Sequence, residues 1–193
     1  MAHKTNQDSK KRTISAFGFI EFTNESLYEN DQVNLQYTLY ITKTYFKGNK
    51  ILQTINENNG KDASGSNNQE RFLGLVGQEI VSYNGDKNAF LGRYHSYNNP
   101  IAVVKGMCDN VLNYNSNACG ALHTILELEP GETKEFVFVL GRKTNKEADL
   151  ILKQYEDTSF VDKELEELKT YWHAKLNNFV VKTPDTNFNN MVN

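Results

Sequence analysis

The stretch Ala121-Leu122-His123-Thr124-Ile125-Leu126-Glu127-Leu128-Glu129-Pro130-Gly131-Glu132-Thr133-Lys134-Glu135-Phe136-Val137-Phe138-Val139-Leu140 decides the fold. Apolar side chains recur at every second position on both sides of Glu129–Glu132, the period of an extended chain. Pro130 sets φ for the first corner of a tight turn, and Gly131 tolerates the positive φ required at the next. The expectation is a β-hairpin whose two strands lie side by side in one sheet. Alternation sends His123, Glu127 and Glu135 to the solvent face.

Towards the N-terminus the pattern remains β. Ile14, Phe17, Phe19, Ile20 and Phe22 form one run that reads as a strand buried on both faces, and Val33–Ile41 alternates as a half-buried strand. A weaker strand at Ile51–Ile55 leads into a tract of Asn, Gly and Ser over 56–68, too poor in apolar surface to fix itself and therefore expected to be a long mobile loop. Strand character returns at Arg71–Tyr83 and breaks at Asn84-Gly85-Asp86. A short turn of helix around Ala89-Phe90-Leu91, an aromatic loop Tyr94-His95-Ser96-Tyr97 and an irregular Asn-rich crossing to Gly120 follow.

Past Gly141 the apolar period changes from two to about 3.6. Ala148, Ile151, Leu152 and Tyr155 share one helical face, as do Val161, Leu165, Leu168, Trp172 and Leu176, with Asp157, Thr158 and Ser159 as caps between the two helices. Trp172 on the second stripe reads as a core anchor. Val180–Thr183 is extended, and Pro184 suits the start of a further helix at Asn187–Asn193, inside which the sequence stops and so reads as cut off. The organisation expected is a mainly β, antiparallel sandwich over 1–143 and a helical segment over 144–193.

The 193 residues carry 21 basic and 24 acidic side chains for a formal net charge of -3, which offers a polyanion such as nucleic acid no footprint. No apolar h-region follows the basic residues of the first dozen positions, and no apolar run approaches a membrane span, so a soluble cytoplasmic protein is expected. Cys108 and Cys119 stand alone, without a second Cys or His pair at zinc-ligand spacing, and read as reduced structural thiols.

No phosphate-cradling glycine loop, nucleophile elbow or metal-binding His pair is present, and neither a metal nor a cofactor is expected. Sugar hydrolysis or phosphorolysis needs a positioned carboxylic acid, which directs attention to Glu127/Glu129, Glu132/Glu135 and Glu164/Glu166/Glu167. The first two groups fall on strand faces or in the turn that face solvent. The third fills the polar early turns of a helix, where negative charge complements the dipole. Tyr94, His95 and Tyr97 form an aromatic loop that could stack on a sugar face or poise an imidazole near neutral pH, although loop packing is the favoured explanation.

Three stretches taken together resemble glycoside hydrolase family 94, the group that includes cellobiose and chitobiose phosphorylases. The first is Ile14–Phe22 followed by Asp31-Gln32-Val33-Asn34-Leu35-Gln36. The second is Asp86–Tyr94 with Pro100, Cys108, Cys119-Gly120-Ala121-Leu122, Leu128–Glu132 and Leu140-Gly141. The third is Tyr171-Trp172, then Thr183-Pro184-Asp185, Asn187 and Met191-Val192-Asn193.

The resemblance implies the later part of a supersandwich of the galactose-mutarotase-like kind, followed by the helices that link it to an (α/α)6 barrel whose motifs this sequence does not contain. It implies a parent enzyme that performs inverting phosphorolysis of a β-linked di- or oligosaccharide with inorganic phosphate as co-substrate. The barrel supplies the general acid, while the β-domain helps enclose the substrate cleft and shape a homodimer, without a catalytic residue of its own. Gln36 and Tyr37 stand at the element most apt to reach a sugar, where some members have Arg in place of Tyr37. Tyr94 and His95 are the further candidate contacts. Two rival readings are a stand-alone carbohydrate-binding module and an interaction module that docks through the Val161–Leu176 stripe.

Overall fold

In the computed structural model, residues 2–22, 39, 42–55 and 70–192 are described. The strand expected over Val33–Ile41, the site candidates Gln36 and Tyr37, and the loop expected over 56–68 lie outside the described residues, apart from Leu39.

Among the described residues, eight strands form two antiparallel sheets. In chain order they are β1 (Ala2–Thr5), β2 (Arg12–Glu21), β3 (Thr42–Lys47), β4 (Lys50–Ile55), β5 (Glu70–Val76), β6 (Ser82–Asp86), β7 (Ala118–Leu128) and β8 (Thr133–Lys143). One sheet has five strands in the order β1-β8-β5-β4-β3, the other three in the order β2-β7-β6. The chain is thus a mainly β antiparallel sandwich followed by helices, as expected.

The stretch that announces the fold does not form a hairpin. β7 pairs with β2 and β6, β8 pairs with β1 and β5, and the two belong to different sheets. Glu129–Glu132 is a tight turn as read, with Glu132 N–H on the Glu129 carbonyl (3.0 Å) and Gly131 at φ +79°, but it is the corner between the layers. Each strand already has two neighbours, so neither has an edge left for the other. Asn6 clamps the corner: its backbone exchanges bonds with Glu132 and Gly131, and its buried amide donates to the carbonyls of Leu128 and Lys10 (both 2.9 Å).

Between the sheets the even-numbered side chains of β2 and β7 meet the odd-numbered ones of β5 and the aromatics of β8. Ile14, Ala16, Ile20, Leu122, Leu126 and Leu128 pack with Ile51, Leu73, Leu75, Phe136 and Phe138. The layers approach so closely that a Cβ on Gly18 would lie 2.4 Å from the Phe138 ring, which requires glycine there.

The strand read as continuous from Arg71 to Tyr83 ends at Val76. Gly77, at φ +87°, turns the chain out of the five-stranded sheet, and Ser82–Asp86 forms a strand of the other sheet with a bulge between Asn84 and Asp86. Asn84-Gly85-Asp86 is therefore inside a strand rather than a break. Gly85 lets β6 pass β3, because a Cβ there would meet Thr44 Oγ1 at 2.0 Å.

Two short helices, α1 (Lys87–Leu91) and α2 (Ile101–Lys105), cover the outer face of the three-stranded sheet, where Phe90, Ala102, Cys108, Cys119 and Ala121 cluster with Phe17, Phe19 and Leu91. The Asn-rich crossing is pinned: Asn110 and Asn115 take positive φ, Asn113 N–H donates to Thr44 Oγ1 (2.7 Å), and Val111 N–H donates to Asn84 Oδ1 (3.1 Å).

The helix α3 (Asn145–Gln154) begins at Thr144, whose hydroxyl accepts from Glu147 N–H while the Glu147 carboxylate accepts from Thr144 N–H, a capping box that the sequence reading missed. Ala148 and Leu152 are buried, and a Cβ on Gly74 would lie 2.5 Å from Leu152, so α3 covers the outer face of the five-stranded sheet. Lys50, 1% exposed, reaches out of β4 to an ion pair with Asp149 of α3.

The change of period falls after Gly141, but the first compact unit runs through α3, covering Met1–Glu156; Asp157–Asn193 forms a second. The second unit holds α4 (Ser159–Leu176) and α5 (Thr186–Val192), neither of which has a buried residue among those described. Asp157 accepts from Ser159 N–H (3.0 Å), whereas Thr158 makes no side-chain cap. Trp172 is 53% exposed rather than a core anchor, because its own unit holds no buried core to receive it. No helix among the described residues is long and apolar enough to cross a membrane.

Candidate functional site

The loop that carries Tyr94 and His95 is positioned by α1. Asp86 caps that helix through Ala89 N–H (2.9 Å), and Gly92 ends it at φ +87°, against Ile101, where a Cβ would meet Ile101 Cβ at 2.8 Å. The chain then turns back tightly, with His95 N–H on the Gly92 carbonyl and Asn99 N–H on that of Ser96.

His95 Nδ1 lies 2.7 Å from the Asn99 carbonyl, an acceptor only, so Nδ1 carries the proton and Nε2 is left as an acceptor in the neutral ring. With Asn88, Leu91, Gly92 and Arg93, this histidine lines an open cleft of about 560 Å³. Arg93 is exposed and has no ion pair among the described residues. The cleft thus offers a guanidinium, an imidazole acceptor and an amide, a set suited to sugar hydroxyls or an anionic group. Sequence reading quoted Arg93 and Asn88 only within a family motif, since neither residue type at that spacing signals a site by itself.

Tyr94 does not line this cleft; it stands 92% exposed beside it. Tyr97 is a loop anchor. Its hydroxyl donates to Glu21, its ring lies under Lys87 Nζ (5.3 Å to the centroid), and it tilts against Phe19. Glu21 also pairs with Lys87 (3.0 Å), so the loop is tied to the end of β2.

His123, read as a surface residue, is 1% exposed. It sits on the outer face of β7 beneath the crossing, stacked on Phe17 (4.4 Å between centroids), with Nδ1 2.9 Å from Ser82 Oγ. Ser82 Oγ also accepts from Cys108 N–H, and the other ring nitrogen, Nε2, is buried without a partner among the described residues. Burial holds the imidazole pKa below its usual value. The alternation was read correctly; what it could not show is that both faces of this strand are covered.

Most of the acidic candidates have structural partners. Glu127 and Glu129 pair with Lys11 at 2.7 and 3.6 Å, and the bond with Lys11 lowers the pKa of Glu127. The Glu132 carboxylate accepts from Glu129 N–H. Glu166 pairs with Lys169 and Glu167 with Lys163 along exposed turns of α4. Cys108 and Cys119 are free and buried, as read; burial raises both thiols, that of Cys108 to about 12. Such thiols are neutral and unreactive at neutral pH. Among the described residues, no group of three or more metal-ligating side chains comes together.

Two antiparallel sheets with helical covers define the class as a mainly β sandwich. The model of the supersandwich domain of glycosyl hydrolase family 94 matches residues 4–158, and the chain belongs to that family. It is 35% identical over 190 residues to the N,N'-diacetylchitobiose phosphorylase of Vibrio furnissii, and 32% identical over 190 residues to that of Vibrio proteolyticus; each alignment covers 97% of this chain and 22% of the relative. A solabiose phosphorylase of Paenibacillus borealis is 26% identical over 145 residues, 74% of this chain and 18% of the relative. The chain thus spans about a fifth of the length of the relatives it matches.

Proposed function

We propose that this chain is the non-catalytic β-domain and linker of a cytoplasmic glycoside phosphorylase, and that a barrel domain performs the phosphorolysis. The observation that carries the reading is the alignment of 190 residues, nearly the whole chain, to about a fifth of each diacetylchitobiose phosphorylase. The substrate is a β-linked di- or oligosaccharide, with N,N'-diacetylchitobiose the first to test, and inorganic phosphate is the attacking group. Phosphate is already anionic at neutral pH, so the reaction needs one general acid and no separate base. Support for placing that acid elsewhere comes from Glu127, Glu129, Glu166 and Glu167, which are exposed and engaged in ion pairs, and from Glu132, whose carboxylate accepts from Glu129 N–H in the turn.

In this reading Tyr94 and His95, with Gln36 and Tyr37, contribute contacts at the rim of the substrate cleft. The decisive assay follows phosphate consumption with N,N'-diacetylchitobiose and cellobiose, using the chain alone and the chain supplied with a family 94 barrel. Turnover only in the second case is expected; turnover by the chain alone overturns the reading.

A second reading, a free-standing carbohydrate-binding module, rests on the 92% exposure of Tyr94. Calorimetric titration with chito- and cello-oligosaccharides separates the two, since heats that vanish in Tyr94→Ala favour the module and flat heats exclude it.

A further inference from the structure

The cleft beside α1 brings together groups of three different bonding characters. Leu91 is half-buried and apolar, and Arg93 contributes a guanidinium, which donates and never accepts. His95 contributes an acceptor, because the Asn99 carbonyl 2.7 Å from Nδ1 holds the ring proton there and leaves the lone pair on Nε2. Asn88 adds an amide that can serve either way. The space among them is kept open by Gly92 at φ +87°. A Cβ there would already stand 3.4 Å from His95 Cδ2, the ring carbon bonded to Nε2, so the acceptor edge of the imidazole lies over bare backbone.

Both walls of the cleft are held in place by the fold itself. Asp86 caps α1 through Ala89 N–H (2.9 Å), Tyr97 ties the loop to Glu21, and Asn99 N–H bonds to the Ser96 carbonyl (3.0 Å). A pocket fixed in this way loses little binding free energy to ordering. Its polarity separates classes of ligand. A phosphate dianion or a carboxylate satisfies Arg93 but sets its own lone pairs against that of Nε2. A hydroxyl satisfies either polar group but leaves Leu91 uncovered. A secondary amide bearing a methyl group meets all three characters, with N–H towards Nε2, carbonyl towards the guanidinium and methyl against Leu91.

We propose that this cleft is a specificity pocket for the acetamido group of an N-acetylhexosamine, read by His95 as acceptor, Arg93 as donor and Leu91 as apolar wall. A sugar as the carrier of the amide rests on the reading of the chain as part of a saccharide-processing enzyme; the polarity of the pocket comes from its own side chains. The same hexose without the acetamido group leaves the Nε2 and guanidinium pair without its matched partner, which is the basis of discrimination.

The test is an NMR titration of the nitrogen-15-labelled 193-residue chain at about pH 8 with N-acetylglucosamine and, separately, with glucose. With N-acetylglucosamine, saturable shifts are expected at the His95 ring nitrogen Nε2 and at the Gly92 and Arg93 amides, with a dissociation constant on the order of 1 mM. Glucose is expected to bind about tenfold more weakly or worse. Arg93→Met keeps the stem of an exposed side chain and removes the donor, and His95→Phe keeps the ring shape and removes the acceptor; each should weaken binding about tenfold. Absence of shifts at His95, equal affinity for glucose, or an Arg93→Met variant that binds as well as the wild type overturns the proposal. The phosphate-consumption assay with a barrel domain reports separately: turnover without shifts at His95 overturns the pocket alone, whereas selective shifts without turnover support the pocket and count against the phosphorylase reading.

Discussion

The stripe of β7 and the stripe of α4 are equally regular in sequence and have opposite fates. Leu122, Leu126 and Leu128 are fully enclosed between two sheets, while Leu165, Leu168, Trp172 and Leu176 stand about half exposed on a helix that buries nothing. Periodicity reports which face of an element is apolar; burial depends on whether another element supplies a matching face. For β7 the partners lie within the first compact unit. α4 lies in the second unit, where neither helix buries a described residue.

The largest expected effect breaks the comparison on its buried side. Leu122→Ala should lower unfolding free energy by about 2–5 kcal/mol, measured by urea denaturation, since it opens a cavity at a residue with no exposed surface. A loss under about 1 kcal/mol would mean that the sandwich core is loosely packed.

Next comes the contact that joins α3 to the five-stranded sheet. Asp149→Ala leaves Lys50 buried without its partner and should cost about 1–3 kcal/mol, tempered by the exposure of Asp149 itself. A Lys50→Met/Asp149→Ala double variant should recover much of that loss, because the stranded charge is gone. If it does not, the pair matters through more than charge.

A gentler probe is pH. The pKa of His123 is lowered by burial, so as pH falls the unfolded chain takes up a proton before the folded one. Its contribution is therefore flat above the unfolded value near 6.5 and falls as pH drops from there towards the folded pKa. Thermal unfolding of wild type and His123→Phe across pH 4.5–8 should show that decline in the wild type and a weaker one in the variant. Identical slopes would place another group in charge.

The smallest effect belongs to α4. Leu168→Ala should change stability of the isolated chain by less than about 0.5 kcal/mol. A loss comparable to that of Leu122→Ala would show that the stripe is covered in solution.

Much of the architecture was legible. β4, the tight turn at Glu129–Glu132, the short helix near Phe90 and the two helices after Gly141 all follow from apolar period, turn residues and caps, which are local properties. The sheet assignment of β7 and β8 was not legible, because Pro130-Gly131 serves a corner as readily as a hairpin. The choice was made by β1, β2, β5 and β6, which occupy both flanks of both strands. The candidate site divides in the same way. Sequence located the Tyr94–Tyr97 loop, but only the folded chain shows that Tyr97 is tied to Glu21, that Tyr94 stands free, and that Arg93 joins His95 in a cleft.

By itself, the order of residues determined the antiparallel β class, the positions of turns and helices, the structural character of the two cysteines and the resemblance to family 94. Tertiary structure alone decided which strands share a sheet, that His123 is buried and that Trp172 is not. The physical reason is range. Turn geometry and amphipathic period are set by neighbours a few positions apart, whereas pairing and burial depend on contacts between segments distant in the chain.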